Sequence, residues 1–308
     1  MTPRDPGKPY YVFNREERHL AAILFHLLNL DDDAVKRFCS LIDCKCDPTD
    51  HWFGIYFEYS YLRDRWKKLS DNAAKRQVVL DMLERQQFTD KGLAQLRSFE
   101  KERDFNGFFF EPEGAEYADK LGRRREPSIN DIESPGNWQL DRLRQIPNLT
   151  DGDFEAICKL KWAFKIKPDI LIQTTRKHAI CMEIKLESPP STYRARGKSD
   201  RVIEVGQVAM QTFMLTNLLD IGCTQIVLSP CHTRASQKEA RSKAKTVSWA
   251  ELLEALKGGR FLSSCLERAL GNSLYQRLEL TVVTDHRATE MVKVGQQPDN
   301  LGVLAETG

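Results

Sequence analysis

The stretch Lys167-Pro168-Asp169-Ile170-Leu171-Ile172, answered by Ala179 to Leu186, constrains this chain more than any other. The first segment is a short, β-branched apolar run opened by a proline, with the length and content of a buried strand. The second alternates with period two: Ile180, Met182, Ile184 and Leu186 face one way, and Cys181, Glu183 and Lys185 the other. Between them, Thr174-Thr175-Arg176-Lys177-His178 reads as a polar turn. Paired as a hairpin, the two strands carry Asp169 to the level of Glu183 and Lys185. Two carboxylates and an ammonium on a largely buried sheet are costly unless compensated. A divalent cation between the carboxylates is the simplest compensation.

This Pro-Asp and Glu-x-Lys arrangement resembles the PD-(D/E)xK nuclease superfamily, over roughly residues 150 to 257. The resemblance implies an α/β fold: a restriction-endonuclease-like mixed β-sheet core flanked by helices. It implies Asp169 and Glu183 as ligands of Mg²⁺ (or Mn²⁺), the main-chain carbonyl of Ile184 as a further ligand, and Lys185 steadying the attacking water. The chemistry is coherent, since Mg²⁺ takes oxygen ligands and keeps several waters. It polarises a phosphate and acidifies bound water, while a lysine meets negative charge building on phosphorus.

Asp200 to Leu219 has helical spacing, with Glu204, Gln207 and Gln211 along one polar stripe. Many superfamily members carry a Gln on the helix after the Glu-x-Lys strand, so Gln207 is implied to orient substrate or the lysine. Gln211 is either a second nucleic-acid contact or a solvated position. Cys223 to Ser229 reads as another buried strand, and Ser248 with Glu251 as the capping box of a helix stopped by Gly258-Gly259. The resemblance also calls for an upstream acid. Glu155 is nearest in sequence, but an expected strand over Trp162–Ile166 leaves little room for its helix. Glu17, Glu58, Glu116 and Glu133 are the alternatives.

The net charge of +2 says nothing about partners, yet residues 161–201 hold ten Lys or Arg against four acids. Most of that excess lies in the turn with Arg176 and Lys177 and in an expected loop with Arg194, Arg196, Lys198 and Arg201. Both should flank the carboxylates and grip phosphates without reading bases. Arg123-Arg124-Arg125 and the run Arg234 to Lys245 are further basic stretches.

The first half reads differently. Helices are expected over 14–30, 31–45, 53–69 and 72–87, giving an α-helical N-terminal domain at 1–105 suited to a protein partner or homo-oligomer contact. An irregular connection at 106–150, the nuclease-like unit at 151–285 and a mobile tail at 286–308 follow. Aromatics crowd 52–66, alongside Arg63, Arg65 and Lys67. We read them as a helix-packing core with a protein-contact edge, the alternative being a stacking surface for single strands. Eight scattered Cys suggest reduced, buried thiols and a cytoplasmic setting, and Cys39, Cys44 and Cys46 with His51 lack the paired arms of common zinc sites. No apolar run is long enough to span a membrane.

The expectation is therefore a metal-dependent phosphodiesterase acting on DNA, with RNA open. The resemblance suggests a defence, restriction or repair setting. A catalytically silent nucleic-acid-binding or assembly subunit, and a scaffold protein in which the motif is accidental, are the competing classes. Asp169→Ala or Lys185→Ala should abolish cleavage and leave folding largely intact.

Overall fold

A computed structural model describes residues 17–110, 128, 130–144, 146, 148–185, 190–197, 199–229 and 244–257. It is a mixed α/β protein whose five-stranded sheet is flanked by helices, with a separate two-stranded sheet. The large sheet runs β1 (Gly54–Phe57), β2 (Ile170–Thr175), β3 (His178–Ile184), β6 (Gly222–Ser229), β7 (Lys245–Ser248). β1–β2 and β2–β3 are antiparallel, while β3–β6 and β6–β7 are parallel. The small sheet is the antiparallel pair β4 (Thr192–Arg196) and β5 (Val202–Gly206).

The period-two pattern divides the core into two layers. Ile170, Ile172, Ile180, Met182 and Ile184 point to one face. There they meet α1 (Glu17–Leu30), α2 (Asp32–Leu41) and α10 (Trp249–Leu256). Leu171, Ala179 and Cys181 point to the other, against α8 (Asp151–Ala163) and α9 (Gln207–Phe213). That second layer extends through α3 (Tyr61–Lys68), α4 (Asn72–Glu84), α5 (Asp90–Ser98), α6 (Glu102–Phe109) and the short α7 (Leu140–Arg144). Each fully buried Leu, Ile or Phe contributes about 1.5–3 kcal/mol, so both faces of the sheet are strongly anchored.

Local signals set the helix starts. Ser248 and Glu251 form the capping box of α10, and Thr150 with Asp153 form that of α8. The buried Asp153 carboxylate also accepts from the Thr89 amide (2.7 Å) and hydroxyl (3.0 Å), tying the start of α5 to that of α8.

Several expectations are corrected. Residues 54–57 are a strand, not part of a helix: Gly54-Ile-Tyr-Phe pairs residue by residue with Gln173 to Ile170, and the helix begins only at Tyr61. The helical domain at 1–105 is thus not segregated, because β1 extends the sheet and α1 and α2 cover one face of it. Nor is 106–150 merely a connection, since α6 runs to Phe109, whose ring stacks on Trp138 at 3.8 Å. Trp162 lies in α8 rather than a strand. Asp200 to Gly206 is not helical: Asp200 turns with φ 58°, and the β-branched Val202, Ile203 and Val205 pair with β4. The residues read as a basic loop are therefore a hairpin. Cys39 and Cys46 are joined in a disulfide rather than held as free thiols. Glu116, Arg123–Arg125, Lys198, most of the run 234–245 and the tail 286–308 lie outside the described residues. Among the described residues no helix is long and apolar enough to cross a membrane.

Candidate metal and phosphate site

The β2–β3 register, Ile170 opposite Met182, sets Asp169 opposite Glu183 when continued by one residue. The Asp169 carboxylate accepts the Ile184 amide at 2.7 Å. A strand residue's N–H and C=O point to the same side, so the Ile184 carbonyl faces the Asp169 side as well. Lys185 is fixed just past the strand. Its amide donates to Leu228 (2.8 Å), and its carbonyl accepts from the buried indole of Trp249 (3.3 Å).

Asp169, Glu183 and Lys185 thus come together as expected. Glu183 is 1% exposed, and Lys185 Nζ lies 2.7 Å from its Oε1. That contact pairs the ammonium with the buried carboxylate, and among the described residues no other donor reaches Oε1. The other oxygen, Oε2, accepts from Gln211 Nε2 at 2.6 Å, and Gln211 Oε1 in turn faces the Cys181 thiol at 3.5 Å. These two contacts orient the amide.

Two residues placed at this site by sequence sit elsewhere. Gln207 opens α9 and is bound to Ser191, accepting its amide at 3.0 Å and donating its own N–H to the Ser191 carbonyl at 2.8 Å. It fastens the helix start and does not reach the carboxylates; Gln211, one turn on, does. Glu155 pairs with Lys159 at 2.7 Å along α8. The acid that does arrive from a helix is Glu17, at the start of α1, with Oε2 3.0 Å from Lys185 Nζ. Glu58 is also close: its amide donates to the Asp169 carbonyl at 2.9 Å, and its carboxylate pairs with Arg18 (2.5 Å) and Lys167 (3.7 Å). Both acids were among the alternatives for the upstream ligand, and sequence alone could not choose them, because the chain connecting them to β2 is over a hundred residues long.

The basic residues divide similarly. Arg176 and Lys177 lie at the hairpin turn, six residue steps along β3 from the site, roughly 20 Å at the usual rise. There Arg176 stacks over Trp52 (5.6 Å) and Lys177 pairs with Asp220. They do not flank the carboxylates, since a hairpin's turn is at the opposite end from its open termini. The β4–β5 hairpin does come near. Tyr193, on β4, lies close enough that the Glu183 charge, after burial, raises its phenol pKa. Arg194 pairs across the hairpin with Glu204 at 2.8 Å, while Arg196 and Arg201 lie at its tip end, with Arg201 exposed.

The electrostatics show a site short of positive charge. Burial first, then Asp169, pushes the Glu183 carboxyl up to about 7, against the pull of Lys185 and Gln211. Burial also raises Asp169, opposed by the Ile184 amide and Lys185 and reinforced by Glu17 and Glu58. Burial works against the Lys185 charge, but Glu183 and Glu17 outweigh it and hold its pKa above the ordinary value. Among the described residues no three His, Cys, Asp or Glu side chains are grouped to hold a metal alone. The donors present are the Asp169 and Glu183 carboxylates and a strand carbonyl. That set suits a hard cation that keeps several waters, so the residues fit Mg²⁺ or Mn²⁺.

Comparison with protein-family models, with curated proteins and with solved structures found no match.

Proposed function

We propose that this chain is a metal-dependent nuclease that hydrolyses phosphodiester bonds, with DNA as the substrate, on a restriction-endonuclease-like core. One observation carries the reading: Asp169, Glu183 and Lys185 converge at the open ends of β2 and β3 in a buried setting short of positive charge. Mg²⁺ or Mn²⁺ held by Asp169, Glu183 and the Ile184 carbonyl would polarise the scissile phosphate and acidify water.

The chain's own residues supply the rest. Lys185, steered by Glu17 from α1, presents an ammonium to charge developing on the phosphate oxygens. Gln211, fully buried, holds Glu183 in one rotamer and is neither the nucleic-acid contact nor the solvated position expected of it. Water forms the new P–O bond and the 3′ oxygen leaves with a proton, giving a 5′-phosphate. The exposed Arg196 and Arg201, at the tip end of the β4–β5 hairpin, would offer phosphate contacts further along a bound strand. One observation favours a silent binding subunit instead: the Lys185 ammonium is shared between two carboxylates, Glu183 and Glu17.

The test is cleavage of plasmid, linear duplex, single-stranded DNA and RNA with Mg²⁺ or Mn²⁺, comparing wild type with Asp169→Asn. Asp169 is half-buried, and this change keeps an acceptor for the Ile184 amide. The hydrolytic reading requires metal-dependent cutting by wild type that falls at least about tenfold in the variant, the low end of the loss when even a partner behind a metal ligand is removed. Equal cutting by both would place the activity elsewhere.

A further inference from the structure

Part of the aromatic run packs as the sequence suggests, with Trp66 in the core and Phe53 against the other layer, but Tyr56, Phe57, Tyr59 and Tyr61 line an open cleft of about 570 Å³. Tyr56 and Tyr61 are 42% and 38% exposed. Tyr59 joins them: its ring lies 5.5 Å from Tyr56, and 5.6 Å from Tyr61 with the two planes only 20° apart. Phe25 and Phe57, 5.6 Å from each other, also line the cleft. Gly54 makes room for this arrangement, since a Cβ there would come 2.8 Å from the Tyr56 hydroxyl.

Charge decides between occupants. Arg65 and Lys68, both in the last turn of α3, line the same cleft. Among the described residues neither has an ion-pair partner. The two acids of the lining are already neutralised: Glu58 by Arg18 and Lys167, Asp64 by Arg63 at 3.7 Å with Ser60 donating to it at 2.8 Å. Ring faces beside unspent cations match a ligand carrying flat π-systems and phosphates. A quaternary ammonium, which also favours tyrosine faces, would be repelled by Arg65 and Lys68.

The lining of the cleft is tied to the carboxylate site through the backbone. Glu58 and Tyr59 donate their amides to the carbonyls of Asp169 (2.9 Å) and Pro168 (3.2 Å). Glu58 is held with φ 48° at this junction, a left-handed conformation that a non-glycine residue adopts at a cost of the order of 1 kcal/mol. The two backbone bonds hold this junction against Pro168 and Asp169.

We propose that the cleft is a binding subsite for unpaired bases of a single-stranded nucleic acid, its tyrosines stacking on the bases while Arg65 and Lys68 hold the phosphates. The subsite rests on the hydrolytic reading only in that the strand it holds leads to Asp169 and Glu183. It would make a single-stranded stretch, or an unpaired end, the preferred substrate over closed duplex.

The experiment is fluorescence anisotropy with labelled 12-nucleotide single strands, DNA and RNA, and the matching duplex, all in EDTA so that no cleavage is needed. Wild type should prefer the single strand. Tyr56→Ala/Tyr61→Ala should weaken single-strand binding by about 10-fold per ring, while Tyr56→Phe/Tyr61→Phe, which keeps the faces, should bind within about threefold of wild type. Both tyrosines are partly exposed, so the variants fold, and a thermal melt checks this. Unchanged affinity in the alanine variant overturns the subsite. So does a loss as large in the phenylalanine variant, or capture of a trimethyllysine peptide in place of the oligonucleotide. A protein that cuts nothing yet shows the expected binding pattern keeps the subsite and loses the hydrolytic reading. One that cuts while the alanine variant binds normally does the reverse.

Discussion

Lys185→Met is the change whose consequences the structure defines most sharply. In the folded protein Glu183 is 1% exposed and faces an ammonium at 2.7 Å. Removing one partner of a buried pair typically costs about 3–5 kcal/mol, because the other charge is left uncompensated. A carboxylate escapes that cost by staying protonated, so the penalty must depend on pH. With Lys185 present, the folded-state value is about 7, against an ordinary value near 4.5. Between those two pH values the unfolded chain releases its proton first, so wild-type stability falls as pH rises, then levels above 7. Without Lys185 the folded value moves higher still and the fall continues. The gap between wild type and variant should therefore be small near pH 6 and widen above pH 7 by up to about 1.4 kcal/mol per pH step. Glu183→Gln removes the titrating group, so the double variant should recover stability and lose the pH dependence. Urea unfolding of all four proteins at pH 6, 7, 8 and 9 measures this. A gap that stays constant across that range, or a double variant no better than Lys185→Met, would show that Glu183 is not the charge that Lys185 compensates. On this account Lys185→Ala is not a neutral probe of catalysis, contrary to the expectation from sequence.

Two further outcomes follow from the packing. Gln211→Leu deletes a 2.6 Å bond to a buried carboxylate and should destabilise the protein by about 1.5–3 kcal/mol at pH 8, with a smaller loss at pH 5.5, where Glu183 is protonated; thermal melts at both pH values read it. Leu24→Ala, at a fully buried position of α1, should cost about 2–5 kcal/mol and speed hydrogen exchange at the Ile180 and Met182 amides of β3. Unchanged exchange there would mean that α1 folds independently of the sheet.

The local parts of the site were legible in sequence and the long-range parts were not. Asp169, Glu183 and Lys185 could be grouped because a hairpin of period-two strands dictates which residues share a level and a face. Glu17 reaches Lys185 from 168 residues away, so no spacing rule could pair them. The resemblance points to Gln207, but β5 places that residue at the first position of the helix. Once the helix starts at Gln207, only the residue one turn further in overlies Glu183. β1 was hidden for a related reason. Four residues followed by a true amphipathic helix show little alternation of their own, and their strand conformation comes from the edge that β2 offers. The tyrosines were misplaced with it. On a continuous helix they would have turned inward, whereas Tyr56 sits on the strand and Tyr61 on the first residue of α3, and both are left at the surface.

The central claim is that Asp169 and Glu183 form a divalent-cation site, and calorimetric titration of Mn²⁺ into wild type and Asp169→Asn at pH 8 tests it without needing a substrate or partner. The account predicts saturable binding by wild type, weakened at least tenfold in the variant, with thermal melts confirming that both proteins are folded. Identical titrations for the two proteins, or no binding by either, would contradict it.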